Sequence, residues 1–531
     1  MRLDEIDRSL DDAPGFRVVG ELTLTESGVD PIGLRQLNLD LMDATVPGIN
    51  NVTRYIRPYT FMAWAWWRAA RYAQRKGMTP ETMHDLVARY EAMYAWSHSM
   101  VGSPFRGEVT VRRYLNAEPG TDTFTFSGPN WERYKKERTS FMAPTEYGPS
   151  IKALRFLKPE DGMFGWAEEA LPALEAIDAI ISASLPARFF ELDPPTIRVK
   201  ELEMFAEVLH VDDPTDAEVE VFRQLFYEVG SSNRAWKEVR RRKATIDLLR
   251  SILVDEGPLD IDGLRRALSK NGAIVSNEGD LAEMRKSATM LCHLQVRQLQ
   301  RLATETLMLW VEVFLSETSN RSRSIDDITD HAHQMSRLQD ADYANSGSVG
   351  EYMERIRAAA KDKGWPAGAA LPHTGVVEMM HALQHAQYSE RPRIPALVAR
   401  SVAIVRAVTK EFEGRDLPEG VLNAIEGRPD RMPMGLMTRR IDALSERPLS
   451  ALWREVVERW VIGQHVHWSA VRGGDGKKRL RIGLEGDGWM LVRKQPSGGF
   501  APTPDRLWTL LALGTACGIF TTSDEWEFDV A

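Results

Sequence analysis

Cysteine is nearly absent from this chain. Two occur in 531 residues, Cys292 and Cys517, far apart in sequence and in apolar surroundings. A disulfide framework is therefore excluded, and both read as buried thiols of a reducing compartment. Long apolar runs are missing too. No stretch of 18 apolar residues occurs, so no segment reads as a membrane span. The start, MRLDEIDRSL, lacks the basic and apolar regions of a secretory leader, and a cytoplasmic location is expected. There is no surplus of positive charge. With 67 Lys and Arg against 76 Asp and Glu the net charge is −9, which argues against coating nucleic acid by bulk charge and leaves only local basic grooves.

Chemical signatures are equally scarce. No H-E-x-x-H, C-x-x-C or G-x-S-x-G is present, nor an Asp…Glu-x-Lys on convincing strands. The stretch Gly473 to Lys478 only superficially resembles a phosphate-binding loop, because Val471 stands at the first glycine position. No cofactor is expected.

What is present is architecture. A hydrophobic content of 43% is ample for sizeable cores, and the length suggests about three domains. The segment from Pro47 to Lys76 crowds seven aromatics (Tyr55, Tyr59, Phe61, Trp64, Trp66, Trp67, Tyr72) beside five arginines (Arg54, Arg57, Arg68, Arg71, Arg75). Pro58 suits a first helical turn, and no further breaker follows before Lys76. Trp64, Arg68, Arg71 and Arg75 then share one stripe of the helix, and Tyr59, Met62, Trp66 and Ala70 another. Two readings compete. One is a core helix whose arginines snorkel or pair with carboxylates. The other is an Arg-and-aromatic surface for phosphates and bases, centred on Arg54, Tyr55, Arg57, Trp64, Arg68 and Arg71. The core reading is preferred.

The remaining pattern is mainly helical. Thr79-Pro80-Glu81 opens a second helix. A strand is expected within 16–25, and loops with short strands over 101–150. Residues 281–315 contain neither Gly nor Pro and predict one helix about 50 Å long, the spine of an α-domain. Leu449 to Val471 predicts another amphipathic helix. A hairpin around Glu485 to Gly488, a helix starting at Thr503-Pro504-Asp505 and ending at Gly518, and a last strand follow. The expected fold class is mainly α and multidomain, with minor β-structure near the N-terminus and a small α+β C-terminal domain. The expected divisions are an aromatic-rich α+β region over 1–160, a helical domain over 161–472 and a small domain over 473–531.

Two kinds of residue cluster merit a chemical reading. Arg240, Arg241, Arg242 and Lys243 run in succession. The helix that carries them is followed by Gly257-Pro258 and a short helix with Arg265, Arg266 and Lys270. That order over 234–270 is similar to the start of a helix-turn-helix, although four consecutive cations spread round a helix and a solvated face is the plainer reading. Lys477, Arg479 and Arg481 would share one face of a strand. These are the candidate nucleic-acid contacts. Glu378, His381 and His385 fall on one helical face at spacings of three and four, which suits a metal ion only if further ligands join them. Ordinary partly buried histidines are the preferred alternative.

The stretch LNLDLMDATVPGINNVTRYIRPYTFMAWAWWRA resembles the N-terminal signature of a family of uncharacterised bacterial proteins from anti-phage defence islands. Asp43, Pro47, Gly48, Thr53, Arg54, Tyr55, Phe61 and Trp64 carry the pattern. TEYGPSIKALRFL at 145–157 and TPDRLWTLLALGTACGIF at 503–520 resemble further family blocks. The resemblance implies a setting beside helicase and phospholipase-D-like nuclease genes, and supplies no catalytic residues. The leading expectation is therefore a non-catalytic subunit, a scaffold or DNA-contacting adaptor for a helicase or nuclease partner. Its DNA binding would be weak and sequence-independent, with no membrane contact. The alternatives are a metal-dependent nuclease or hydrolase with dispersed ligands, and a regulator that binds a small ligand.

Overall fold

The computed structural model describes residues 30–531 outside 77–79, 103–107, 116–119, 144–145, 161–162, 191–195, 229–236, 270–279, 318–321, 362–374, 473–478, 487 and 494. The strand expected within 16–25 lies outside the described residues. The protein is mainly α, and its β-structure among the described residues is limited to small antiparallel pairs. Thr123–Thr125 pairs with Thr196–Arg198, and Leu157–Glu160 with Met163–Trp166. Ile482–Glu485 pairs with Gly488–Leu491, and Phe520–Thr522 with Phe528–Val530. No helix among the described residues is long and apolar enough to cross a membrane.

The aromatic helix, Arg57–Lys76, packs against Pro80–Met100 and Leu171–Ser184. Its rings are core: Tyr59, Phe61, Trp64, Trp66 and Trp67 are all buried. Phe61 stacks on Tyr94 at 4.0 Å, and Trp66 meets Phe164 edge-on at 4.7 Å. Three of the arginines are partnered within the fold. Arg57 forms a fully buried ion pair with Glu218 at 2.8 Å. Asp178 accepts from both Trp64 Nε1 (3.0 Å) and Arg68 (2.7 Å), and the Arg71 guanidinium lies 4.6 Å from the Trp67 ring. These partners give Arg57 and Trp64 buried structural roles, while Arg68 and Arg71 stay half-buried beside their partners.

The central helix spans Asp280–Ser316, close to the bounds expected from its lack of breakers. Every residue from Met290 to Glu312 is buried, polar ones included. Around it lie Arg35–Thr45, Lys237–Glu256, Ile261–Ser269, Val376–Ser389 and Ile394–Glu411. The boundary expected at 473 is crossed by several bonds. Trp489 bridges Arg323, Phe528 bridges Leu259, and Asp505 accepts from Arg265. The helix expected at Thr503 begins at Leu507 instead. Asp505 still accepts from its first N–H, that of Leu507, at 3.4 Å while the same carboxylate is held by Arg265 and Gln295, and the Thr503 backbone is bonded by Gln298 of the central helix instead. The amphipathic helix over 450–471 contains a π-helical stretch, Arg454–Gly463. There the Trp460 indole donates to Glu455 at 3.0 Å, five residues back, as the wider turn allows.

His465 of that helix ties the C-terminal hairpin down. Its Nδ1 faces the Pro31 carbonyl at 3.2 Å, and its Nε2 accepts from the Arg481 amide at 2.8 Å. That pattern requires the neutral ring, since a proton on Nε2 would oppose an N–H donor. Burial, above all, pulls its pKa from 6.5 to about 4. A depressed histidine pKa contributes stability that is present above 6.5 and lost as pH falls toward 4, because the unfolded chain takes up the proton first. Buried Glu305, pushed up to about 8 chiefly by burial, acts in the opposite sense, losing stability as pH rises. A variant comparison isolates the histidine. The stability advantage of wild type over His465→Gln, from urea unfolding, should shrink by about 2 kcal/mol between pH 7 and pH 5.

The aromatic helix makes a second claim. Trp66→Ala should cost about 3–5 kcal/mol through lost burial and the cavity left behind. An unchanged thermal midpoint would mean that the ring contributes nothing to the core.

Candidate functional site

The loop after the Arg35–Thr45 helix turns at Pro47 and Gly48. Gly48 adopts a left-handed backbone (φ +82°), and a Cβ there would lie 3.0 Å from that of Ala153, so glycine suits both the turn and the close approach. The turn is held from beneath by Arg242. Its guanidinium donates to the carbonyls of Pro47 (2.5 Å), Phe226 (2.6 Å) and Leu225 (2.6 Å), and the side chain is fully buried.

From this turn the chain reaches two distant segments. Asn50 donates to the Glu146 carbonyl at 2.8 Å, and the Tyr59 ring meets Tyr147 edge-on at 5.8 Å. Asn51 donates to the Pro504 carbonyl at 2.9 Å and accepts from the Thr509 hydroxyl at 3.1 Å. Arg506 pairs with Asp43. The three blocks at 43–64, 145–157 and 503–520 thus form one continuous region. No periodicity in the sequence signals this convergence. Arg54 and Tyr55 sit at its edge, where Arg54 is exposed and donates to the Tyr55 hydroxyl at 3.1 Å.

Beside the region opens a cleft of about 480 Å³ between the Arg35–Thr45 helix, the start of Lys237–Glu256, the first third of the central helix and residues 418–423. Lys237, Arg240 and Arg241 line it, and none has an ion-pair partner among the described residues. Lys286 on the same wall is neutralised by Glu283 at 2.6 Å. Asp40 and Glu419 make the opposite wall acidic. Three cations crowd the first turns of a helix, where the macrodipole is already positive and carboxylates are the usual occupants. A second, more open groove of about 650 Å³ borders the π-helical stretch and mixes Asp430 and Glu458 with Arg440 and Arg459.

The other proposed contacts are placed differently. Arg242 is an internal clamp, not a nucleic-acid contact. Lys243 pairs with Asp247 at 2.5 Å and lies over the Tyr227 ring. Arg265 is bound to Asp505 and Asp262, both at 2.8 Å, and Arg266 to Glu378 at 2.7 Å. The helix–turn–helix order over 237–269 is present, yet its short second helix spends these arginines on internal pairs. Arg481 is buried beside Glu312 and is not placed to meet a phosphate, and half-buried Arg479 donates to the Arg472 carbonyl. Lys477 lies outside the described residues.

The metal reading is corrected as well. Glu378 is taken by Arg266, and His381 faces Asp262 at 3.1 Å, which raises the imidazole pKa. His385 is exposed and bonds Ser389 one turn on. Among the described residues no group of three or more His, Cys, Asp or Glu side chains is placed to hold a metal ion. No family model, curated protein or solved structure matches the chain.

The neighbours Arg241 and Arg242 provide a direct check. Arg242→Ala strands three inward carbonyls and should cost about 3 kcal/mol or more. Arg241→Ala, at the cleft, should change stability by no more than about 0.5 kcal/mol. Chemical denaturation of the two variants measures both.

Proposed function

We propose that this protein is a non-catalytic subunit of a bacterial anti-phage system, a scaffold that contacts DNA phosphates and serves a helicase or nuclease partner. The observation that carries the DNA contact is the cleft mouth, where Lys237, Arg240 and Arg241 have no ion-pair partner among the described residues and lie in the first turns of the helix Lys237–Glu256. A phosphate would relieve their mutual repulsion and the opposed dipole together. The acidic far wall limits the contact to a few phosphates, so the binding is weak. It is sequence-independent as well, because Arg265 and Arg266, the residues that a reading helix would offer, are committed to Asp505, Asp262 and Glu378. The defence setting rests on the resemblance of the three blocks. The three blocks lie in contact with one another.

The test is titration of labelled duplex and single-stranded DNA at two salt concentrations. Lys237→Glu/Arg240→Glu/Arg241→Glu should weaken binding across unrelated sequences. It should also flatten the log–log salt slope by up to about 0.9 per lost phosphate contact. Unchanged binding in the variant would exclude the cleft. No binding by wild type at low salt would exclude DNA as the ligand.

A further inference from the structure

The turn joining Phe520–Thr522 to Phe528–Val530 holds a residue that local rules disfavour. It is closed by Trp526 N–H to the Ser523 carbonyl (3.1 Å), Ser523 N–H to the Glu527 carbonyl (2.9 Å) and Glu527 N–H to the Ser523 hydroxyl (3.1 Å). Trp526 therefore adopts φ +62°, a left-handed conformation natural to glycine and costly for a bulky side chain. Burial does not compensate, because the residue is 52% exposed. Its ring rests on Trp508 at 5.1 Å, and Trp508 in turn meets Phe528 edge-on at 5.6 Å. The Arg54 guanidinium lies 6.0 Å from the Trp526 ring and 5.3 Å from that of Tyr55. An exposed Trp and Arg beside a half-buried Tyr are residue types that dominate protein interfaces.

Charge selects the occupant. Asp524, Glu525 and Glu527 flank Trp526 within four residues, and all are exposed. Three carboxylates beside Arg54 repel a phosphate backbone and attract lysine and arginine. We infer that the 523–527 turn is a docking knob for a basic segment of a partner protein, whose cations lie over the indole faces of Trp526 and Trp508 and pair with the surrounding carboxylates. This surface is separate from the basic cleft, and the inference does not depend on DNA binding.

The experiment uses the full chain and a random twelve-residue displayed peptide library, selected on wild type and counter-selected on Trp526→Gly. Enriched peptides should carry Arg or Lys beside an apolar residue. As labelled peptides in fluorescence anisotropy, they should lose at least tenfold in affinity for Trp526→Gly. Asp524→Asn/Glu525→Gln/Glu527→Gln should weaken them and reduce their salt dependence. Because glycine accepts φ +62° without strain, the melting temperature of Trp526→Gly should equal or exceed that of wild type. Four results would overturn the inference. They are a library that yields nothing distinguishing the two proteins, enrichment of acidic peptides, a melting temperature lowered by several degrees, and a thymidine oligonucleotide whose binding depends on Trp526.

Discussion

A buried chain segment without a strand partner must still satisfy its backbone hydrogen bonds. The stretch from Ser497 to Leu507 lies across the helical body without one, buried at Thr503, Asp505 and Leu507 and open to solvent at Gly498, Gly499, Ala501 and Pro504, and side chains supply at its inward positions what a sheet would have supplied. The Gln387 amide donates to the Phe500 carbonyl and accepts from its N–H. Gln298 does the same for Thr503, at 2.5 and 2.9 Å. Glu312 accepts from Ser497 N–H, and Asp505 is held by Arg265 and Gln295. A lost partner here leaves a buried polar group at a cost of about 1–3 kcal/mol, so these bonds fix where the segment runs.

That obligation explains the composition of the central helix. A helix buried all round is ordinarily apolar all round. This one keeps Gln295, Arg297, Gln298, Gln300, Arg301 and Glu305 inside, because the C-terminal segment, the 431–432 turn and the Arg35–Thr45 helix bring polar groups onto it. Asn38 donates to Gln298, which already clasps Thr503. Arg297 donates to the carbonyls of Met432 and Arg431, both at 2.6 Å. Arg301 pairs with Glu305 at 3.0 Å and reaches the Thr503 hydroxyl. The N-terminal helix, the 431–432 turn and the C-terminal segment are thereby registered on one rod. The cleft and the Arg54 edge inherit their positions from it.

This division of labour decides what the sequence could disclose. Helix existence was legible, because freedom from Gly and Pro over 281–315 and the apolar repeat over 449–471 are local properties. The aromatic helix was legible as core, because so many rings have no use in solvent. The fate of individual polar side chains was not. Arg241 and Arg242 are adjacent, yet their positions differ by about 100° round the helix, and one lines a cleft while the other clamps three carbonyls. Glu378 and His381 do share a helical face, as their spacing requires. What that face meets is the Arg266 and Asp262 of a helix more than a hundred residues earlier, which no spacing rule contains. The convergence of the three blocks is hidden for the same reason: Asn51 and Pro504 are 453 residues apart.

Backbone strain follows the same geography. Among the described residues the non-glycine left-handed positions are Arg155, Met432, Arg506 and Trp526. Such conformations cost on the order of 1 kcal/mol each and persist where the surroundings over-determine them. At Arg506 the reason is visible. The left-handed residue lets Asp505 face inward to Arg265 and Gln295 while Arg506 itself faces outward to Asp43, and the helix starts at the next residue. Arg155 likewise ends the 145–157 block turned toward Glu238, on the helix that carries the cleft cations. Met432 offers the carbonyl that Arg297 and Gln300 share. In each of these three the strain is repaid by contacts to the rest of the chain. Trp526 differs in that its strained side chain, resting on Trp508 and beside Arg54, stays half exposed.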